Sequence, residues 1–216
     1  MNQALIRFGA MMLALSLIGY AIYELALLPA AGFPSDDMRV IIAGAETLRI
    51  GHWLKFGYGL AIAIVAAGLV LRLRETAPVL AQLALMAGIA SVALYIASGM
   101  LGLRILDYAQ NFYVANNLAD ARSTILIRAV TQSLQAAGTF AAGWFALLIS
   151  ISTWRTNLLP RWLSGLGVLA GVLLIPVFIL PNPLWLIGPL LMIAYAVALA
   201  TVPVHNGAAN QVIVQS

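Results

Sequence analysis

From Val79 to Leu103 the chain reads VLAQLALMAGIASVALYIASGMLGL, without one charged side chain. Crossing about 30 Å of hydrocarbon at about 1.5 Å per helical residue takes about 20 apolar residues. This run exceeds that length, and its apolar character continues to about Leu106. It reads as a transmembrane helix, and it decides the fold class.

Outward from it, five further stretches meet the same criterion. The first runs from Ala4 to Leu28, interrupted only by Arg7 and Glu24, and the second from about Trp53 to Leu73. The fourth runs from about Ile125 to Trp154, the fifth from Trp162 to Leu180, and the sixth from Leu184 to Val204. The expected architecture is an all-α membrane protein, one bundle of about six transmembrane helices over residues 1–204. A short polar C-terminal tail, 205–216, follows. The first stretch could also be read as a secretory signal cleaved near Leu28-Pro29-Ala30-Ala31, but its apolar core is longer than the 7–15 residues of such a segment. A retained span is expected.

Composition agrees. Hydrophobic residues make up 63% of the chain and charged residues 8%, with a mean hydropathy of +1.00. Soluble domains carry about 25% charged residues, so lipid is the solvent for most of this surface. The net charge of +4 does not indicate nucleic acid, because Lys and Arg are scattered singly or in pairs and form no run along which phosphates would bind. Cysteine is absent, which excludes disulfides, iron–sulfur clusters and thiolate chemistry. A haem held between two histidines would need both His52 and His205, and His205 lies in the polar tail. No cofactor and no metal site are expected.

Arg7, Arg72, Arg74, Arg155 and Arg161 occupy one side of the membrane with a single acid, Glu75. The other side carries Arg39, Arg49, Lys55, Arg104, Arg122 and Arg128, but also Asp36, Asp37, Glu46, Asp107 and Asp120. The short, acid-poor loops therefore place both termini in the cytoplasm.

The two long loops also carry helical signals. Ser35 is a suitable N-cap, followed by Asp36 and Asp37 at the positive end of a helix dipole. Met38, Ile41, Ile42, Ala45 and Leu48 then recur on one face, as in an amphipathic helix. No proline lies between Val79 and Trp154, and Asn116-Asn117 is the only break signal, with Asp120 as the next cap. Spans three and four are accordingly expected as extended helices of about 35 residues, about 50 Å each, projecting beyond the bilayer. Gly167 and Gly171 form a GxxxG, and Ala137, Ala141, Ala142 and Gly143 line span four, a small-residue pattern that brings helices close.

Ionisable groups inside spans are costly and are functional candidates by default. Glu24 lies about one turn before the end of span one, near the outer interface. Arg128, Arg104, Lys55 and Arg49 are its candidate partners, and an interhelical ion pair, a ligand contact and proton carriage are all open to it. Arg128, Gln132, Gln135 and Thr139 fall on one face of span four. Arg104, Asp107, Tyr108 and Asn111 form a polar face on span three. With Glu24 these groups make either a polar pocket open to the outer side or a closed network that joins helices at about 0.6 kcal/mol per contact. Glu46, Arg49, His52 and Trp53 are secondary candidates, His52 reading first as an interface residue beside Trp53. Lys55 opens span two, so no lysine stands mid-span. No metal-ligand spacing, phosphate loop, nucleophile motif or paired mid-span carboxylates occur, and no catalytic residue is assigned.

Several of these stretches carry a resemblance. Glu24 at the end of span one, Ala45-Glu46-Thr47-Leu48-Arg49-Ile50-Gly51, the glycine-rich fourth span ending in Trp154-Arg155, and the run from Leu159-Pro160-Arg161-Trp162-Leu163-Ser164-Gly165 to Gly171 follow one another in order. The chain thereby resembles the bacterial integral membrane family catalogued as domain of unknown function forty-three eighty-six, over about residues 5 to 200. Ser164 stands where that family frequently has glycine. The resemblance implies a multi-pass topology and bacterial origin, and makes Glu24, Glu46 and Arg49 candidates for a shared role, but it implies no activity.

Function is then read as follows. The first expectation is a non-enzymatic protein of the bacterial inner membrane, in contact with membrane lipids, that binds a small amphiphilic or lipophilic ligand near the outer leaflet. Glu24, Arg104, Asp107, Arg128, Gln132 and Gln135 would line its pocket, with Arg128 or Arg104 meeting an anionic head and Tyr108 and Trp53 packing the body. The alternative is an accessory or assembly subunit whose membrane-protein partner docks on spans three and four. A small-solute transporter or channel comes third, since no internal repeat is visible and Pro176 is the one irregularity that would serve it. An enzyme comes last, with only Glu24, Asp107 and His52 to supply acid and base.

Overall fold

A computed structural model describes residues 2–34, 38–113, 121–176 and 186–203, and every regular element among them is helical. Helix α1 (Asn2–Ile22) leads through a π-helical turn (Tyr23–Leu27) into α2 (Leu28–Ala30). Then come α3 (Met38–Ala43), α4 (Ala45–Leu73) and α5 (Pro78–Tyr108), the last ending in a second π-helical turn, Ala109–Tyr113. Helices α6 (Ala121–Thr156), α7 (Arg161–Leu174) and α8 (Ile187–Thr201) complete the described chain. Four helical stretches, Gln3–Ala30, Ala45–Leu73, Pro78–Asn111 and Arg128–Thr156, are long and apolar enough to cross a membrane, and α7 and α8 are shorter apolar helices. The chain is an all-α membrane bundle, as its apolar runs require, because in hydrocarbon the backbone must satisfy its own hydrogen bonds.

The helices form a closed ring in chain order: α1 packs on α4, α4 on α5, α5 on α6, α6 on α7, α7 on α8, and α8 returns to α1. The start of α1 lies against the C-terminal half of α4, and α5 runs antiparallel to α6. The ring therefore has a short-loop end, with the turns at 74–77 and 157–160, and a long-loop end, with α3 and both π-turns.

Local chemistry sets the element boundaries. Pro78 occupies the first turn of α5, where its missing N–H costs nothing. Asn157 takes a left-handed φ of 51°, which asparagine tolerates. It closes α6 with hydrogen bonds from the Asn157 N–H to the Trp154 carbonyl (3.4 Å) and from the Leu158 N–H to the Thr153 carbonyl (3.1 Å), the Schellman arrangement. Helix α7 stops at Leu174, because Pro176 can neither donate to the ladder nor fit its ring within it; the expected end of the span at Leu180 lies outside the described residues. The amphipathic segment of the first loop is divided at Gly44: α3 ends at Ala43, and Ala45 and Leu48 already belong to α4. Span two is thus a 29-residue helix from Ala45, not one opening at Trp53. The extended α5 and α6 span 31 and 36 residues. Ser35, Asn116-Asn117, Asp120 and the tail from 205 lie outside the described residues.

The core is asymmetric along the ring axis. Ile6, Leu13, Leu69, Leu73, Ile149, Leu163 and Leu199 are all fully buried in the short-loop half of their helices, as is Leu159 in the turn there. Helices α6 and α7 approach closely with Gly143 and Gly171 face to face. A Cβ on Gly171 would come within 2.7 Å of the Gly143 carbonyl oxygen, so the GxxxG is used inside the chain. On the outside, apolar side chains such as Leu15 (63% exposed) and Met86 (68%) face outward, as a lipid-solvated surface requires. Trp154 and Trp162 are exposed at the short-loop end, where indoles favour the membrane interface. At the long-loop end the ring is hollow.

Candidate functional site

The hollow is built around the π-turn of the first span. Pro29 has no N–H to give the carbonyl four residues earlier, and its ring crowds that turn. The helix widens instead, with the Leu28 N–H bonding to the Tyr23 carbonyl. Such π-bulges recur at functional sites because they re-aim the residues they contain. Here the residues are Tyr23, which is buried, and Glu24, which is half-buried. Tyr23 lies flat on Gly51 of α4, at a position where a Cβ would collide with the phenol ring. This contact explains the glycine in the Glu46–Arg49–Gly51 motif. One residue on, the His52 imidazole occupies the space left by Gly102 of α5, and its Nδ1 has no hydrogen-bond partner among the described residues.

Lys55 is the main departure from the sequence reading. It does not open the span at the interface. It sits three helical turns inside α4, 6% exposed, and its Nζ donates to Ser98 Oγ at 3.2 Å. Ser98 in turn donates to the Thr131 carbonyl at 2.9 Å, so the relay joins α4, α5 and α6. The Glu24 carboxylate faces Lys55 electrostatically and is also within hydrogen-bonding reach of the Tyr20 hydroxyl. Gln135 Nε2 donates to that same hydroxyl at 2.6 Å, which links α1 to α6 across the ring.

Together these groups line a cavity of about 190 Å³, larger than the roughly 150 Å³ hole that accepts benzene in an engineered core. Its polar lining is Tyr20, Tyr23, Glu24, His52, Lys55, Arg128, Thr131, Gln132 and Gln135, and its apolar wall is Leu28, Phe33, Ile41, Leu48, Ile105 and Leu106. The lining thus carries the side chains of Lys55 and Arg128 together with the Glu24 carboxylate. Beneath it lies a second chamber of about 120 Å³, walled by Leu17, Tyr58, Tyr95, Thr139, Leu174, Pro189 and Met192. Tyr20, Lys55 and Gln135 border both chambers.

Of the residues singled out from sequence, Glu24, Arg128, Gln132, Gln135 and His52 come together here, with Gln132 exposed at the edge. Arg104, Asp107 and Tyr108 do not line it. All three are exposed, because α5 turns Gly102, Ile105 and Leu106 inward. Arg49 forms a separate rim cluster. Its guanidinium donates to Gln110 Oε1 at 3.1 Å and pairs with Asp107 at 3.5 Å and Glu46 at 3.8 Å. Trp53 is exposed beside Phe56, ring centroids 5.3 Å apart. Tyr20, Tyr23 and Thr131 were missed, and Lys55, read as a candidate partner of Glu24, was not read as a buried residue of the cavity wall. The spacing of Gly51, Lys55, Tyr58 and Ile62, at i, i+4, i+7 and i+11, would have placed Lys55 on the buried stripe. No group of three metal-ligating side chains occurs among the described residues.

Fold and site together define a helical integral membrane protein with a charged cavity at one end of its ring. The chain belongs to the family described as Domain of unknown function (DUF4386), whose model matches residues 8–205. No curated protein and no solved structure matches it.

Proposed function

We propose that this protein is a non-enzymatic binding protein of the bacterial inner membrane, holding a small amphiphile with an anionic head in the cavity at its long-loop end. In this reading both termini are cytoplasmic and the cavity lies near the outer leaflet. The observation that carries it is the lining: two cations and one carboxylate set against an apolar wall, inside a bundle whose other half is close-packed. Buried charge is costly unless it is matched. Two cationic side chains set in an otherwise apolar wall favour an anionic head, and a guanidinium is the planar fork that grips a carboxylate or phosphate. Gln132 and Gln135 add donors, and Glu24 orients Lys55. Arg104, Asp107 and Tyr108 act outside the cavity, where Asp107 holds Arg49.

The test uses one tail with three heads. Decanoate, decanol and decylamine are added to the purified chain in phosphatidylcholine nanodiscs, and thermal unfolding is followed. A ligand that binds only the folded state raises its stability by RT ln(1 + [L]/Kd). Decanoate is expected to raise the midpoint, the other two are not, and Arg128→Ala is expected to lose the effect. Equal shifts for all three heads, or a shift that survives Arg128→Ala, would refute the assignment.

A further inference from the structure

We infer that the two chambers are the head and tail subsites of a single ligand, a single-chain amphiphile with an anionic head, and that the Tyr20–Gln135 hydrogen bond is the neck between them. This rests on the upper cavity being the ligand site. The chambers are adjacent, not merely near. Tyr20, Lys55 and Gln135 belong to the walls of both, and Gln135 Nε2 donates to the Tyr20 hydroxyl across the neck at 2.6 Å.

Their chemistry differs in the way one amphiphile requires. The upper lining carries Glu24, His52, Lys55 and Arg128. Among the described residues of the lower chamber Lys55 at the neck is the only charged one, and its ammonium is held by Ser98. The remaining polar atoms there serve one another. The Tyr95 hydroxyl and Thr139 Oγ1 lie 2.6 Å apart, and Thr139 also donates to the Gln135 carbonyl at 3.1 Å. Tyr58 packs edge-on against Tyr95, ring centroids 4.6 Å apart. What the chamber presents is ring and methyl surface from Leu17, Tyr58, Leu174, Pro189 and Met192. A chamber of about 120 Å³ suits a length of alkyl chain and not a second head or a branched lipid.

The experiment is a chain-length series, butanoate to dodecanoate, bound to the full chain in phosphatidylcholine nanodiscs. Wild type is compared with Leu17→Trp, which fills the lower chamber and leaves the upper lining intact. Taking the ratio of the two at each length cancels partition into the lipid. Each methylene newly buried multiplies affinity by about four. Leu17→Trp is therefore expected to leave butanoate unchanged and to weaken decanoate at least about tenfold. A ratio that stays flat along the series would overturn the tail subsite while leaving the head site standing. Failure of every carboxylate to bind wild type would instead overturn the upper cavity as a ligand site. If Leu17→Trp loses butanoate as well, Thr139→Leu, a smaller filling, is read by the same ratio, and a flat profile there is decisive against the tail subsite.

Discussion

At the scale of single residues, the site depends on one lysine and one glycine. Lys55 stands 6% exposed with Glu24 as the facing carboxylate, and the two are not equivalent. Replacing Lys55 with methionine removes a charge whose desolvation is expensive and leaves Ser98 still bonded to the Thr131 carbonyl. Glu24 is half-buried and keeps the Tyr20 hydroxyl within reach, so Lys55→Met is expected to change stability by less than about 1 kcal/mol, as at a solvated pair. Glu24→Gln leaves the buried Lys55 without its facing carboxylate and is expected to cost about 1–3 kcal/mol. Unfolding by SDS titration in mixed micelles compares the two, and equal losses would contradict this division of roles. Gly51 is the other determinant, since any Cβ there meets the Tyr23 ring. Gly51→Ala is expected to cost about 1–3 kcal/mol through overpacking. Most of that loss should return in the double variant with Tyr23→Ala, a coupling that independent sites do not show.

At the scale of elements, the π-turn and the caps convert local rules into position. Pro29→Ala restores the missing N–H and lets α1 continue as an ordinary α-helix. The outcome expected is a more stable chain that binds its anionic ligand at least about tenfold more weakly, because Glu24 and Tyr23 rotate away from the cavity, a trade of function for stability. Thermal unfolding and decanoate titration on the same sample check it, and unchanged affinity would show that the π-turn does not aim the site. At the far end of α6, Asn157→Val places a β-branched residue at a φ of 51° and is expected to cost about 1–2 kcal/mol, whereas Asn157→Gly should be nearly neutral.

The same scale shows what was legible in the sequence. Apolar run length disclosed the spans, since hydrocarbon thickness sets it. The bearing of α5 was not legible from its polarity. Lipid and bundle interior are alike in polarity, so a span apolar on every side gives no direction. Arg104, Asp107 and Tyr108 were grouped with Gln135 because they are polar, yet they face outward. The inward face of α5 is marked instead by size, through Ser91, Tyr95, Ser98 and Gly102, all buried. On α6, the polar stripe of Arg128, Gln132 and Gln135 does turn to one cavity.

At the scale of the whole molecule, the ring is tight at the short-loop end and hollow at the other, and that asymmetry is what the proposed function rests on. A bundle needing only cohesion would fill both ends as it fills the region around Phe145, Ile149 and Tyr195. Here the charged side chains of three helices converge on a space of about 190 Å³, with apolar flanks turned to lipid. The most direct measurement is native mass spectrometry of the full chain released from mild detergent, with the retained small molecules identified by tandem fragmentation. The account predicts a bound single-chain anionic amphiphile, present on the wild type and absent from Arg128→Ala. A wild-type chain that carries nothing, or that carries only a stoichiometric protein partner, would contradict it.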